Sequence, residues 1–175
     1  MLNFIFQFVL TVNATSWMIV VYAIKEQWSF GFFPSWITGV FLLFVPIMLS
    51  FLSLLLSLFL GHDSIQNCKE CVLADKDFLS IYLGYFFVAL SVNDLTTLCF
   101  IYVIVFLFTL LTRNQYFNPI FLLFGYHFYY IATEQGTSVF VIAKGGVIRN
   151  AKHLKFTALR RINDTTYITR KDERR

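Results

Sequence analysis

The chain has 175 residues, of which 58% are hydrophobic, 19% aromatic and only 14% charged, and its mean hydropathy is +0.68. This balance excludes an ordinary soluble domain and a polar disordered chain, and it places the protein in the integral membrane class. The formal net charge of +4 is unevenly spread: residues 1–112 hold three Lys/Arg against six Asp/Glu, net −3, and residues 113–175 hold eleven against four, net +7.

Crossing about 30 Å of hydrocarbon takes roughly 20 apolar residues in a helix, because each backbone polar group must be satisfied within the segment. Residues 4–24 meet that length and end at Lys25 and Glu26. The opening MLNFIFQFVL lacks a positive segment, and no small-residue cleavage site closes its apolar run, so this helix is expected to stay. Trp28, Trp36 and nearby Phe residues form an interfacial aromatic belt around a short connection. Residues 36–60 are the strongest span, with Pro46 as a tolerated kink. Residues 61–77 carry His62, Asp63, Lys69, Glu70, Asp75, Lys76 and Asp77 and are expected to form an aqueous loop. The stretch 78–111 would be about 51 Å long as one helix. It therefore divides at Asn93 and Asp94 into two shorter spans, 78–92 and 95–111, with Asp94 as the helix cap.

The segment FNPIFLLFGYHFYYI after Thr112 is too short before TEQG to cross again. From Phe121 onward its aromatic and branched residues predict a β-hairpin with SVFVIAK as the second strand. The expected fold is thus mostly α and membranous: four transmembrane helices in residues 1–112, then a small α+β or hairpin-containing domain in residues 113–175. Arg113 and the +7 balance put that domain in the cytoplasm by the positive-inside rule. Four spans then make both termini cytoplasmic, with the 61–77 loop on the same side.

Few residues invite chemistry. Cys68 and Cys71 form a single CxxC, and His62 is a third candidate ligand. One such pair without a second is a weak zinc or redox signal, and reduced thiols are the expected state. His127 in its aromatic surroundings reads as a hydrogen-bonded core histidine. Lys152, Lys155, Arg160 and Arg161 make a basic run suited to anionic lipid, nucleic acid or an acidic protein face, and equally to a solvated cytoplasmic face. The aromatic strand around Tyr126 and Phe128 has more apolar surface than so small a domain buries, which leaves a face for a partner. Ser50, Ser53 and Ser57 share one helix face and serve either close helix packing or, with Gln7, Asn13 and Thr15, a pore lining in an oligomer. There is no Walker loop, HExxH, Ser/His/Asp arrangement or paired catalytic carboxylates. An enzyme is not expected, no cofactor is implied, and direct nucleic-acid contact is not expected.

The four spans, the CxxC-bearing loop and the element NP-FLL-GY-FY (Asn118, Pro119, Phe121, Leu122, Leu123, Gly125, Tyr126, Phe128, Tyr129) together resemble the membrane subunit of the bacterial Kiwa anti-phage defence system. The resemblance in layout covers the whole chain. It implies an inner-membrane sensor that oligomerises, as a tetramer, and works with a soluble cytoplasmic effector acting on phage DNA. The residues alone support a broader pair of expectations: a sensor or scaffold that recruits such an effector, or a small oligomeric pore.

Overall fold

A computed structural model of the chain describes residues 2–65, 68–112, 118–133, 136–148 and 156–169. Four apolar helices, α1 (Leu2–Lys25), α2 (Ser35–Leu56, extended by a 3₁₀ turn Ser57–Phe59), α3 (Asp77–Ser91) and α4 (Leu95–Thr112), are followed by a one-turn helix α5 (Pro119–Leu123). The strands are β1 (His62–Ile65), β2 (Cys68–Leu73), β3 (Tyr126–Thr133), β4 (Ser138–Lys144), β5 (Phe156–Arg161) and β6 (Thr166–Thr169). Among the described residues, three helices are long and apolar enough to cross a membrane: α1, α2 with its 3₁₀ extension, and α4. α3 has the expected position and apolar character, but its 15 residues reach only about 22 Å at 1.5 Å per residue.

α1 is the hub of the bundle, with α2, α3 and α4 packed around it. Met18 and Tyr22 on α1 meet Ala89, Val92 and Leu98 at one end. At the other end Phe6 and Leu10 join Leu54 and Leu60 in a core shared with the sheet, through Phe121, Phe128, Phe140, Ile142 and Ile168. The α3–α4 turn is held as its sequence suggests. Asp94 Oδ1 accepts from Thr97 N at 2.8 Å, and that backbone bond, followed by the one from the Thr97 hydroxyl, holds the Asp94 carboxyl below its ordinary range.

The expected loop at 61–77 is instead largely strand. β1 and β2 lie at opposite edges of a six-stranded sheet ordered β1-β5-β6-β4-β3-β2. In a flat sheet of that size the edge strands would stand about 24 Å apart. Ile65 and Cys68, however, are three Cα steps apart in the chain, about 11 Å at full stretch. The sheet must therefore curl until its two edges approach each other at this segment, which makes it a small open barrel in which β1 and β2 are not paired with each other. Its residues sort accordingly. Tyr129, Ile131, Val139, Val141, Ala143, Leu159 and Tyr167 fill the interior. The alternate residues Phe128, Phe140, Ile142 and Ile168 face the helices. All strand pairs are antiparallel except β4–β6.

The hairpin from SVFVIAK is present as β3–β4, but Phe121 lies in α5 rather than in a strand. Asn118 caps that helix by accepting from Ile120 N at 2.9 Å, with Pro119 at the first helical position, where its missing N–H is harmless. Gly125, at φ +74°, ends it in a left-handed conformation that favours glycine. The barrel also crosses the boundary that composition draws after residue 112, since two of its six strands precede α3.

Candidate functional site

The feature that joins the membrane-length helices to the barrel is a buried polar seam along α1. Gln7, Thr11, Asn13, Thr15 and Ser16 are all buried there. Thr11 and Thr15 donate to the carbonyls of Gln7 and Thr11, both at 2.9 Å, so their hydroxyls are satisfied within the helix. Ser50, Ser53 and Ser57 are likewise fully buried. They donate to Pro46 O, Leu49 O and Leu54 O at 2.6, 2.8 and 2.7 Å. The three serines are thus turned inward within a single chain.

Asn13, Ser50 and Asn118 converge between α1, α2 and α5. Asn118 Nδ2 donates to Ser50 Oγ at 2.8 Å. The Asn13 amide satisfies both its ends when Oδ1 faces Asn118 Nδ2 at 2.7 Å and Nδ2 donates to Pro46 O at 3.2 Å. Asn118 also caps the helix that leads into β3. One buried side chain therefore ties two membrane-length helices to the entry of the barrel. Unpaired polar groups at such a site would be costly, so the three side chains hold one another in place.

Three further hydrogen bonds reinforce the junction. Gln7 Nε2 donates to Ile162 O at 3.3 Å, and Asn3 Nδ2 to Arg161 O at 3.5 Å. Arg160 Nη1 donates to Leu60 O at 2.6 Å and approaches His62 Nδ1 at 3.3 Å. The register explains this reach: Arg160 pairs with Ile168, on the strand face that meets the helices. Its cation sits just beyond the C-terminal end of α2 and its 3₁₀ turn, where unsatisfied carbonyls favour positive charge. Arg161 turns the other way and pairs with Asp164, and that hydrogen bond raises the guanidinium pKa. A polar cleft of about 280 Å³ opens where Asn3, Gln7, Arg161, Ile162, Asn163 and Asp164 meet.

On the other side, Asp75 ties the start of α3 to β3. Its Oδ2 lies 2.6 Å from His127 Nδ1, and its Oδ1 accepts from Phe128 N at 2.7 Å. His127 is accordingly hydrogen-bonded, as its setting suggests, with a carboxylate as partner.

The remaining expected site residues are dispersed. Cys68 pairs with Thr133 and Cys71 with Ile131, and a register irregularity between Cys68 and Glu70 puts both thiols on the interior face of the barrel. Burial pushes both up, Cys71 to about 11, which disfavours the thiolate that metal binding or disulfide exchange needs. His62 pairs with Arg160, on the opposite face. Among the described residues no group of three His, Cys, Asp or Glu side chains is placed to hold a metal ion. Tyr126 and Phe128 are 2% and 0% exposed and are packed against the helices, so the partner face expected of them is not at the surface of the chain. Lys152 and Lys155 lie outside the described residues.

Sequence reasoning passed over Asn118 as more than a motif letter, and it did not pair Asp75 with His127. The Asn-Pro dipeptide is a legible helix-start signal. Neither its link to Ser50, 68 positions away, nor that of Asp75 to His127, 52 positions away, has a local signature.

No curated protein and no solved structure matches the chain. A family model described as "Anti-phage protein KwaA" matches residues 6–168. The chain belongs to the KwaA family, and its role lies in anti-phage defence.

Proposed function

We propose that the protein is a non-enzymatic sensor or scaffold of the bacterial inner membrane that assembles with copies of itself and recruits a soluble cytoplasmic effector. The observation that carries this reading is the Asn13–Ser50–Asn118 junction. It makes the barrel and the membrane-length helices one packed unit, so a change in helix tilt or neighbours has a direct route to the barrel surface. The outer faces of α2 and α4 support the membrane and assembly parts of the reading. Phe41, Phe44, Met48 and Phe51 on α2, with Phe100, Phe108 and Leu111 on α4, are large, apolar and exposed, and lipid or neighbouring copies would cover them.

The path of α3 supports four crossings. It starts beside the barrel at Asp75 and ends at Val92, whose carbonyl accepts from Lys25 Nζ at the far end of α1. Both termini are then cytoplasmic, and a reporter active only in the periplasm, fused after Arg175, stays silent. Activity of that reporter would overturn the orientation.

Recruitment is tested by pull-down of the intact protein from its host across a salt series. The +7 balance of residues 113–175 steers an acidic partner, so retention falls as salt rises and falls further when Lys152 and Lys155 are both replaced by Glu. Salt-independent retention that ignores the double substitution would refute the electrostatic part. The pore alternative draws on Gln7, Asn13, Thr15, Ser50, Ser53 and Ser57, which are buried within the single chain. Ion conductance by the purified protein in liposomes would favour it over the scaffold.

A further inference from the structure

The end of the molecule opposite the barrel carries a groove between the last turn of α1 and the first turns of α2. Ile24, Trp36, Gly39, Val40 and Leu43 form its apolar walls, Gln27 and Ser35 lie at its polar end, and its volume is about 400 Å³. Gly39 lies on its floor, where a Cβ would stand 3.5 Å from Ile24 Cγ1, in ordinary van der Waals contact, so that only a larger side chain would fill the groove. Beside it the connection 26–34 projects Phe30, Phe32 and Phe33, all exposed, with Phe32 wholly so. Trp36 on the groove wall is 71% exposed and Val40 48%.

We infer that this groove is a binding site for a single phospholipid of the outer leaflet, one acyl chain lying along Gly39, Val40 and Leu43 and the headgroup meeting Gln27 and Ser35. This rests on the membrane reading given above. Two observations select the occupant. First, the groove continues without a break into the exposed apolar face of α2, a helix whose spanning length and composition suit lipid, and exposed aromatic residues flank its polar end, the pattern found at the headgroup level. A soluble partner would have to strip lipid from that face. Second, the chain has no Asp, Glu, Lys or Arg between Glu26 and Asp63, and the nearby Lys25 is engaged by Glu26 and by Val92 O. The site therefore has hydrogen-bonding groups but no spare cation, which suits a zwitterionic headgroup such as phosphatidylethanolamine over an anionic one. A groove of this size lies within the ordinary range of small-ligand sites.

The test uses the full chain, extracted in mild detergent, exchanged exhaustively, and analysed for retained phospholipid by native mass spectrometry. The unmodified protein is expected to keep a phospholipid that Val40→Trp, which fills the groove from its lipid side, loses. Gly39→Leu fills it from the floor and should lose the lipid as well. A helix-melting transition followed by far-UV circular dichroism that matches the parent's shows that the bundle of each variant is folded, and continued protection of Cys68 and Cys71 from alkylation shows the same of the barrel. After incubation with vesicles of equal phosphatidylethanolamine and phosphatidylglycerol, the retained lipid should be enriched in the former. Equal retention by both variants marks annular lipid only and overturns the site. Enrichment in phosphatidylglycerol overturns the headgroup assignment. A detergent-dependent protein that keeps no phospholipid refutes the groove while leaving the membrane reading intact, whereas release from membranes by alkaline carbonate without detergent refutes both.

Discussion

Replacing Asn118 by Ala should uncouple the barrel from the bundle. Asn118 is buried and its side chain makes three kinds of contact: the cap on Ile120 N, the donation to Ser50 Oγ, and the approach to Asn13. A lost cap costs about 1 kcal/mol, and each of the two lost neutral hydrogen bonds, to Ser50 Oγ and to Asn13 Oδ1, about 1 kcal/mol, with Asn13 Oδ1 keeping Ser50 N and Oγ as its donors at 3.2 and 3.1 Å. The whole is about 3 kcal/mol, which for a chain of this length moves a thermal midpoint by roughly 6–12 °C. The protein contains its own probes for each half. Its three tryptophans, Trp17, Trp28 and Trp36, all belong to α1, α2 and their connection, whereas Cys68 and Cys71 line the barrel. In a Cys99→Ser background, thiol labelling during heating reports the barrel and tryptophan fluorescence reports the bundle. The two transitions should coincide in the parent protein. In Asn118→Ala the thiol transition should fall by the larger amount and separate from the fluorescence transition. Ser50→Ala, which leaves the α5 cap in place, should show a smaller shift of the same kind. A thiol transition that stays within about 1 °C of the parent would refute the claim that this junction holds the barrel to the helices.

The barrel thiols should be poor nucleophiles. With Cys71 at about 11 against an ordinary 9.0, alkylation at pH 8 should run ~100-fold slower than for a free thiol, and rates near those of a model peptide would contradict its burial. Removing the Arg160 side chain exposes Leu60 O to no partner, so Arg160→Ala should lower stability by about 1–2 kcal/mol in a thermal shift assay. Lys at the same position should restore only part of it, because Arg160 reaches both Leu60 O and His62 through one nitrogen. The Asp94 carboxyl is depressed in the folded chain. Its contribution is therefore present above the ordinary carboxylate pKa and is lost as pH falls through the lowered value. Amide exchange at Thr97, corrected for the intrinsic rate, should lose protection over that acidic window, and Asp94→Ala should remove the pH dependence altogether.

The apolar runs and their breaks were legible because each answers to a local rule. Lys25–Glu26 ends α1, Asn93–Asp94 separates α3 from α4, and the branched and aromatic residues of SVFVIAK yield β4 at its full extent. The 61–77 segment misled for an equally physical reason. Its charged residues make it look solvated, and half of β1 and most of β2 are exposed, but its backbone is claimed by β5 and β3, more than 50 residues away. Phe121 and Phe128 are both aromatic in an aromatic stretch. What sends one into α5 and the other into β3 is Asn118–Pro119 before and Gly125 between them, three residues whose backbone preferences outweigh β propensity. The basic run divided in the same way. Arg160 and Arg161 are adjacent in sequence and so point to opposite faces of β5, one to the end of α2 and the other to Asp164.

That division changes how a docking surface on the barrel must be sought. Reversing Arg160 to Glu would place a carboxylate against Leu60 O and the end of α2, so any loss of recruitment would mix lost steering with a damaged helix–barrel contact. Arg161→Glu would set like charges side by side at Asp164 and disturb the turn that receives Gln7 through Ile162 O. A reading of partner electrostatics therefore has to come first from Lys152 and Lys155, and only then from the arginines, with the thiol-protection assay run on every variant. If the arginine reversals weaken recruitment while Cys68 and Cys71 remain protected, their charges act on the partner. If protection falls together with recruitment, the arginines act through the junction, and the helix–barrel contact depends on Arg160 and Leu60 as well as on Asn118.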